Sequence, residues 1–146
     1  MGVERYQTAA LLQVGDESGP QSGEVGYGEN VPNATVQIRG QTSSRNSQKN
    51  YKIELKKNKG TWRGQRTINL NKHQTDGMRF RNKLSYDLLK GIPQLMSLRT
   101  QFVHLCKRSY RRKQRRVSGL WIVHTGRTAE QDRNGESRNG LERTVI

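Results

Sequence analysis

The sequence predicts an α+β fold, with a short antiparallel sheet and one main helix, followed by a disordered basic tail. Residues 35–39 and 51–56 alternate polar with apolar or β-branched residues, as half-buried strands do. In residues 77–90, Phe80, Leu84 and Leu88 recur every four residues, which is typical of the buried face of a helix. The tail, residues 107–146, carries 11 of the 27 Lys and Arg residues without clear periodicity.

The composition allows one small domain with a modest core. The chain has 146 residues and a net charge of +15, and Leu, Ile, Val and Phe make up about a fifth of it. Such a charge suits nucleic acid, phosphate groups or an acidic protein surface as a partner. The single cysteine, Cys106, excludes an internal disulfide, and we expect it to be a buried small hydrophobe. No secretory signal and no membrane span are expected, because no apolar run is long enough.

Three segments follow from the pattern along the chain. Residues 1–32 hold a strand within 9–14 and a loop rich in Gly, Ser and Glu. Residues 33–105 hold the two alternating strands, a third strand at 67–70, the helix, and a core strand that ends at 102–105. Thr75 or Asp76 can cap the helix at its start, and Gly91 ends it. Residues 106–146 form the tail.

A turn between the two alternating strands could bind phosphate. Gly40 lets a ligand approach the backbone, and Ser43 and Ser44 offer hydroxyl and amide donors. Lys52 follows on the second strand, where kinases place a lysine that pairs with phosphates. The alternative is that Lys52 belongs to an ordinary solvated face, since no G-x-G-x-x-G is present. We assign no catalytic residue and no metal ligand, and for Asp76 a capping role is favoured.

Several motifs, in order, resemble the spore-coat protein H (CotH) kinase family. The first is NATVQIRGQTSS at residues 33–44, followed by QKNYKIEL at 48–55. The later ones are NLN at 69–71, Asp76, RNKLSYDL at 81–88 and FVHL at 102–105. The resemblance covers about residues 9–105. Each motif alone is weak, but their shared order is specific.

This resemblance implies an incomplete, atypical protein-kinase-like N-terminal lobe. It also implies a bacterial transferase that uses ATP and, in the full-length family, a divalent metal such as magnesium to phosphorylate proteins, including spore-coat proteins. A place in the spore coat or at the cell surface would follow. Either Lys49 or Lys52 would contact the nucleotide, and the strand position favours Lys52. The cofactor-binding residues implied are Arg39, Gly40, Ser43, Ser44, Lys49 and Lys52.

After residue 105 the sequence departs from the family pattern. The family continues with a strand of the Tyr-Gly-Leu-Tyr type and then Val-Glu-Gln, whereas this chain becomes rich in Arg. Back-translation with a shift of one base permits VKDLTE for residues 106–111 and YGLYTQVEQLNKT for 120–132. We therefore predict a frameshift near Cys106, which leaves a truncated kinase without its catalytic half and inactive by itself, so that ATP and metal need not bind this fragment. The alternative is a small basic nucleic-acid-binding protein, but the serine turn and Lys52 favour a nucleotide over a polymer.

The frameshift predicts the coding DNA around Cys106. Codons 106–132, read one base out of register, should encode the two family-like peptides as one open frame. Sequencing the gene checks this directly. An intact frame with codons that do not permit the shifted peptides would contradict the prediction.

Overall fold

The computed structural model describes residues 6–40, 47–95, 97–109, 112–125 and 142–145, and it describes side chains only as far as residue 107. These residues form an α+β fold with one helix against one sheet. The helix, α1, is Arg81–Leu89. The strands are β1 Gln7–Ala10, β2 Gln13–Asp16, β3 Gly19–Pro20, β4 Ala34–Arg39, β5 Asn50–Leu55, β6 Thr67–Asn71, β7 Arg99–Ser109, β8 Arg112–Thr125 and β9 Glu142–Val145.

The sheet orders its strands as β1-β4-β5-β6-β8-β7-β9-β2-β3. Every neighbouring pair is antiparallel except β7 with β9, which is parallel. The predicted strands at 35–39, 51–56 and 67–70 are confirmed, with bounds that differ by one residue. The antiparallel β4-β5-β6 meander places the turn after Gly40 at one end of the sheet.

One face of the sheet carries the core. On β5, Ile53 and Leu55 are fully buried, whereas Glu54 between them is exposed. This is the period-two pattern of a strand with one face on a core. Burying each such aliphatic side chain stabilises the folded state by about 1.5–3 kcal/mol relative to leaving it exposed. The other buried apolar residues of the core are Leu12, Val14, Ala34, Trp62, Ile68, Leu70, Val103 and Leu105.

A buried asparagine joins the N-terminal strands to the meander. The predicted single strand within 9–14 is two strands, β1 and β2, because the chain turns between them. The Asn33 side chain accepts from the Leu12 N–H at 2.7 Å and donates to the Leu12 carbonyl at 2.9 Å. Its backbone N–H donates to Ala10, and its carbonyl accepts from Lys56. Asn33 has no exposed surface, so its side chain supplies the hydrogen bonds that water cannot provide to the buried N–H and carbonyl of Leu12.

The helix differs from the prediction in length and in burial. Residues 77–80 are not helical, and Arg79 has a left-handed φ of 58°. The predicted buried face is wrong, because Leu84 and Leu88 are 48% and 66% exposed. The helix instead packs against β7, where Lys83 lies over the ring of Phe102, 5.7 Å from its centre. The four-residue spacing of apolar side chains therefore predicts that they share one helix face, but it does not predict that this face is buried. In the described part of the chain, nothing packs over Leu84 and Leu88 to bury them.

The tail also differs from the prediction. Residues 112–125 and 142–145 form β8 and β9, so the expectation of a disordered tail is wrong for these two segments. Residues 120–123, Leu-Trp-Ile-Val, favour a strand, and β6 and β7 supply partners on both sides. Cys106 is buried, as expected. Across the described ranges, no helix combines the length and apolar character needed to span a membrane.

Replacing Asn33 with alanine should destabilise the fold by about 2–4 kcal/mol, because the buried N–H and carbonyl of Leu12 would both lose their partner. Urea unfolding followed by circular dichroism measures the change. Asn58→Ala is the matched control, since Asn58 is exposed in a turn and should change stability by under about 0.5 kcal/mol. Equal stability of the two variants would contradict this role of Asn33.

Candidate phosphate-binding site

Lys52 lies at the middle of the meander, on the face opposite the core. It faces Gln37 on β4 and Asn69 on β6. Its Nζ lies 3.1 Å from a carboxylate oxygen of Glu54, with the two side chains 33% and 49% exposed. Such an exposed pair contributes only about 0–1 kcal/mol. The ion pair therefore orients the lysine without preventing it from moving to a more highly charged phosphate.

The end of β4 has a backbone geometry that requires glycine. Gly40 has a φ of 102°, which other residues rarely adopt, so glycine is required there. Arg39 is exposed and faces Asn50 at the start of β5. Arg39 and Lys52 thus lie on two paired strands, and Gly40 directly follows the first of them. Ser43 and Ser44 lie outside the described residues.

The segment that returns from the turn packs against the loop that precedes the helix. The Gln48 N–H donates to the Gln74 side chain at 3.1 Å, and that side chain donates to Ser47 at 3.3 Å. The Asn50 side chain accepts from the Lys72 N–H at 2.9 Å. These contacts fix the entry to β5 and hold Lys49, which is half-buried, between the turn and the strand.

Asp76 organises the start of the helix. Its carboxylate accepts from the N–H groups of Met78 and Arg81, at 3.2 and 3.0 Å, and forms an ion pair with the Arg81 guanidinium at 3.5 Å. Burial raises the pKa of Asp76. Hydrogen bonds from the N–H groups of Arg81 and Met78 lower it by a larger amount, so the pKa lies below its usual value. The helix begins later than predicted, with Phe80 at its N-cap position and no side-chain cap hydrogen bond, so Asp76 is not the N-cap residue. Its carboxylate still accepts from the N–H of Arg81, the first helical residue.

His73 and Asn82 close the same loop. The Asn82 amide donates to Nδ1 of His73 at 3.2 Å, which requires that nitrogen to be unprotonated. Burial lowers the pKa of His73, and the nearby Asp76 raises it only in part. A neutral ring at pH 7 is consistent with this bond. The loop from Lys72 to the helix is therefore held from both of its ends.

Sequence reasoning missed two lysines on the core side of the sheet, Lys72 and Lys107. Lys72 is only 6% exposed, and burial, followed by the charges of Arg79 and Lys107, lowers the pKa of its ammonium. Lys107 Nζ lies 3.9 Å from the centre of the Tyr51 ring and donates to its hydroxyl. A signal was present: Lys72 continues the buried phase of Ile68 and Leu70. A lysine at the two-residue spacing of the buried apolar residues is predicted to place its side chain on the core side of the sheet.

Where side chains are described, no three His, Cys, Asp or Glu residues group together as ligands. Asp87 instead bonds to Lys83 and lies 3.1 Å from Lys90. Burial raises the pKa of Asp87. Hydrogen bonds from Lys83 and Lys90 lower it by a larger amount, so the pKa lies below its usual value.

The comparisons with known proteins agree with the motifs. The family described as CotH kinase protein matches residues 36–122, which is more than half of the chain. The match extends beyond residue 105 into the segment for which we predict a frameshift, and the frameshift stays a prediction. No curated protein and no solved structure matches the sequence. By the extent of the family match, the chain belongs to the CotH kinase protein family.

Proposed function

We propose that this chain supplies the nucleotide-binding part of an atypical, CotH-type protein kinase that phosphorylates proteins such as spore-coat proteins with ATP. The observation that carries the proposal is the placement of Lys52 within the matched region, on β5 directly after the turn that Gly40 begins. A lysine on a strand that follows a phosphate-covering turn is how kinases hold ATP phosphates.

The phosphates would lie at the turn end of β4 and β5. Arg39 and Lys52 would supply positive charge, and the backbone at Gly40 would allow close approach. Ser43 and Ser44 would donate hydroxyl or amide hydrogens, and Lys49 is the second candidate for the lysine contact. Protein acceptors, ATP and a kinase-like N-terminal lobe come into this proposal from the family.

This part of the chain would bind ATP without transferring its phosphate. A kinase needs a carboxylate that orients the acceptor hydroxyl and another that holds metal. Neither role is assigned to the carboxylates described near these residues: Glu54 forms an exposed ion pair with Lys52, and Asp76 accepts from N–H groups at the start of the helix.

Substituting Lys52 with methionine should weaken ATP binding by about tenfold or more, because a charge-assisted bond to phosphate contributes about 1.5–3 kcal/mol. Binding of a fluorescent ATP analogue to the 146-residue chain measures the effect. Lys57→Met is the matched control, since it removes the same charge from an exposed turn residue. Equal affinity of the two variants would exclude Lys52 as the phosphate contact, and Lys49→Met then tests the alternative lysine.

The purified chain should show no metal-dependent transfer of phosphate from radiolabelled ATP to itself or to a generic acceptor such as casein. Scintillation counting with magnesium or manganese present measures transfer. The Lys52→Met protein, prepared in the same way, reports any contaminating kinase. Metal-dependent turnover by the original chain, lost in the Lys52→Met protein, would show that phosphotransfer does not need further residues.

A further inference from the structure

The side chain of Gln74 joins two segments that lie far apart in the sequence. Its oxygen accepts from the backbone N–H of Gln48 at 3.1 Å, and its nitrogen donates to the Ser47 hydroxyl at 3.3 Å. Gln74 lies in the loop before the helix, whereas Ser47 and Gln48 lead into β5. We name residues 47–49 the return limb, because they bring the chain back from the turn that Gly40 begins.

The return limb depends on this loop for its position. The pairing of β5 with β4 begins at Asn50, and the pairing with β6 begins at Tyr51, so neither ladder holds the limb. The Lys72 N–H donates to the Asn50 side chain at 2.9 Å, directly after the limb. Hydrogen bonds from the loop at positions 47, 48 and 50 therefore bracket Lys49, one of the two candidate lysines for the phosphate contact.

The return limb gains little from its own burial. Ser47 is exposed, and among the described residues the side-chain oxygen of Gln48 is buried without a hydrogen-bond partner. Burying an unpaired carbonyl oxygen costs free energy, and that cost is removed if the limb moves into water. The two hydrogen bonds of Gln74 oppose this movement. Loss of the Gln74 side chain should therefore release the limb, although Gln74 is itself exposed.

We propose that Gln74 is a positioning residue for ATP binding: it holds the return limb, and with it Lys49, beside the end of β4, where Arg39 pairs with Asn50. This inference rests on the proposed function and extends it to a residue outside β4, β5 and the turn between them. A preorganised site binds its ligand more tightly, because the entropy of ordering is lost before the ligand arrives. Gln74 acts through the return limb and does not itself touch the nucleotide.

Binding of a fluorescent ATP analogue to the 146-residue chain tests the role of Gln74. Gln74→Ala should weaken binding by about three- to tenfold, because both hydrogen bonds to the return limb are lost. Ser47→Ala removes one of these bonds and should cause a smaller loss, which Ser47→Thr should reverse because threonine keeps the hydroxyl. Gln94→Ala is the matched control, since Gln94 is an exposed turn residue beyond the end of the helix.

Two further measurements separate positioning from a general loss of structure. The effects of Gln74→Ala and Ser47→Ala on ATP affinity should not add, since the first change already removes the bond that the second would break. Without ATP, the Gln74→Ala protein should show altered backbone amide shifts at Gln48 and Lys49, and unaltered shifts at Ile53 in the core.

Three results would overturn the role of Gln74: ATP affinity of Gln74→Ala equal to that of Gln94→Ala, additive losses from Gln74→Ala and Ser47→Ala, or unaltered amide shifts in the return limb. In each of these cases, ATP binding that depends on Lys52 would leave the proposed function standing. Failure of the unmodified chain to bind ATP would refute both the proposed function and the role of Gln74.

Discussion

Strand β5 is held between β4 and β6, and its register decides which side chains reach each face of the sheet. Ile53 pairs with Val36 and Ile68, which places apolar groups together on the core side. The same register places Lys52 between Gln37 and Asn69 on the other side. A slip of one residue would exchange the two faces and place Lys52 in the core. Burial of the apolar set therefore fixes the position of the charge that the proposed function needs.

The core that enforces this register is small, and polar groups support it. Asn33 satisfies the chain turn at Leu12, and Asp76 satisfies the first N–H of the helix. Both groups hold segments that lead into the sheet or the helix. The helix contributes little to the core, because none of its residues is buried. In the described part of the chain, the sheet positions the candidate residues, and the helix packs beside β7.

The sequence was informative where one physical rule acted alone. Alternation predicted the strands of the β4-β5-β6 meander. Gly40 was predicted only to allow the close approach of a ligand, and its positive φ is a finding of the structure. Asp76 was predicted as a cap because a short carboxylate before a helix satisfies its first donors. The prediction of a buried helix face was wrong, because the spacing of apolar residues predicts which residues share a face but not whether another element packs against it. The strand β8 was missed because its partners, β6 and β7, are set by tertiary pairing.

Lys72 and Lys107 show a different limit. Each follows two apolar residues in strand phase, and that pattern can be found in the sequence. The contact between Lys107 and Tyr51 cannot, because it joins β7 to β5, which are not neighbours in the sheet. Local rules therefore predicted the strands and the candidate lysine on β5, whereas a contact between distant strands required the fold.

The central claim is that ATP phosphates bind at the turn end of β4 and β5. Titration of ATP into the isotopically labelled chain, followed by the chemical shifts of its backbone amides, tests it most directly. The account predicts saturable changes concentrated at Gly40, Lys49, Asn50 and Lys52. Changes that do not saturate and spread over the basic surface of the chain would contradict it.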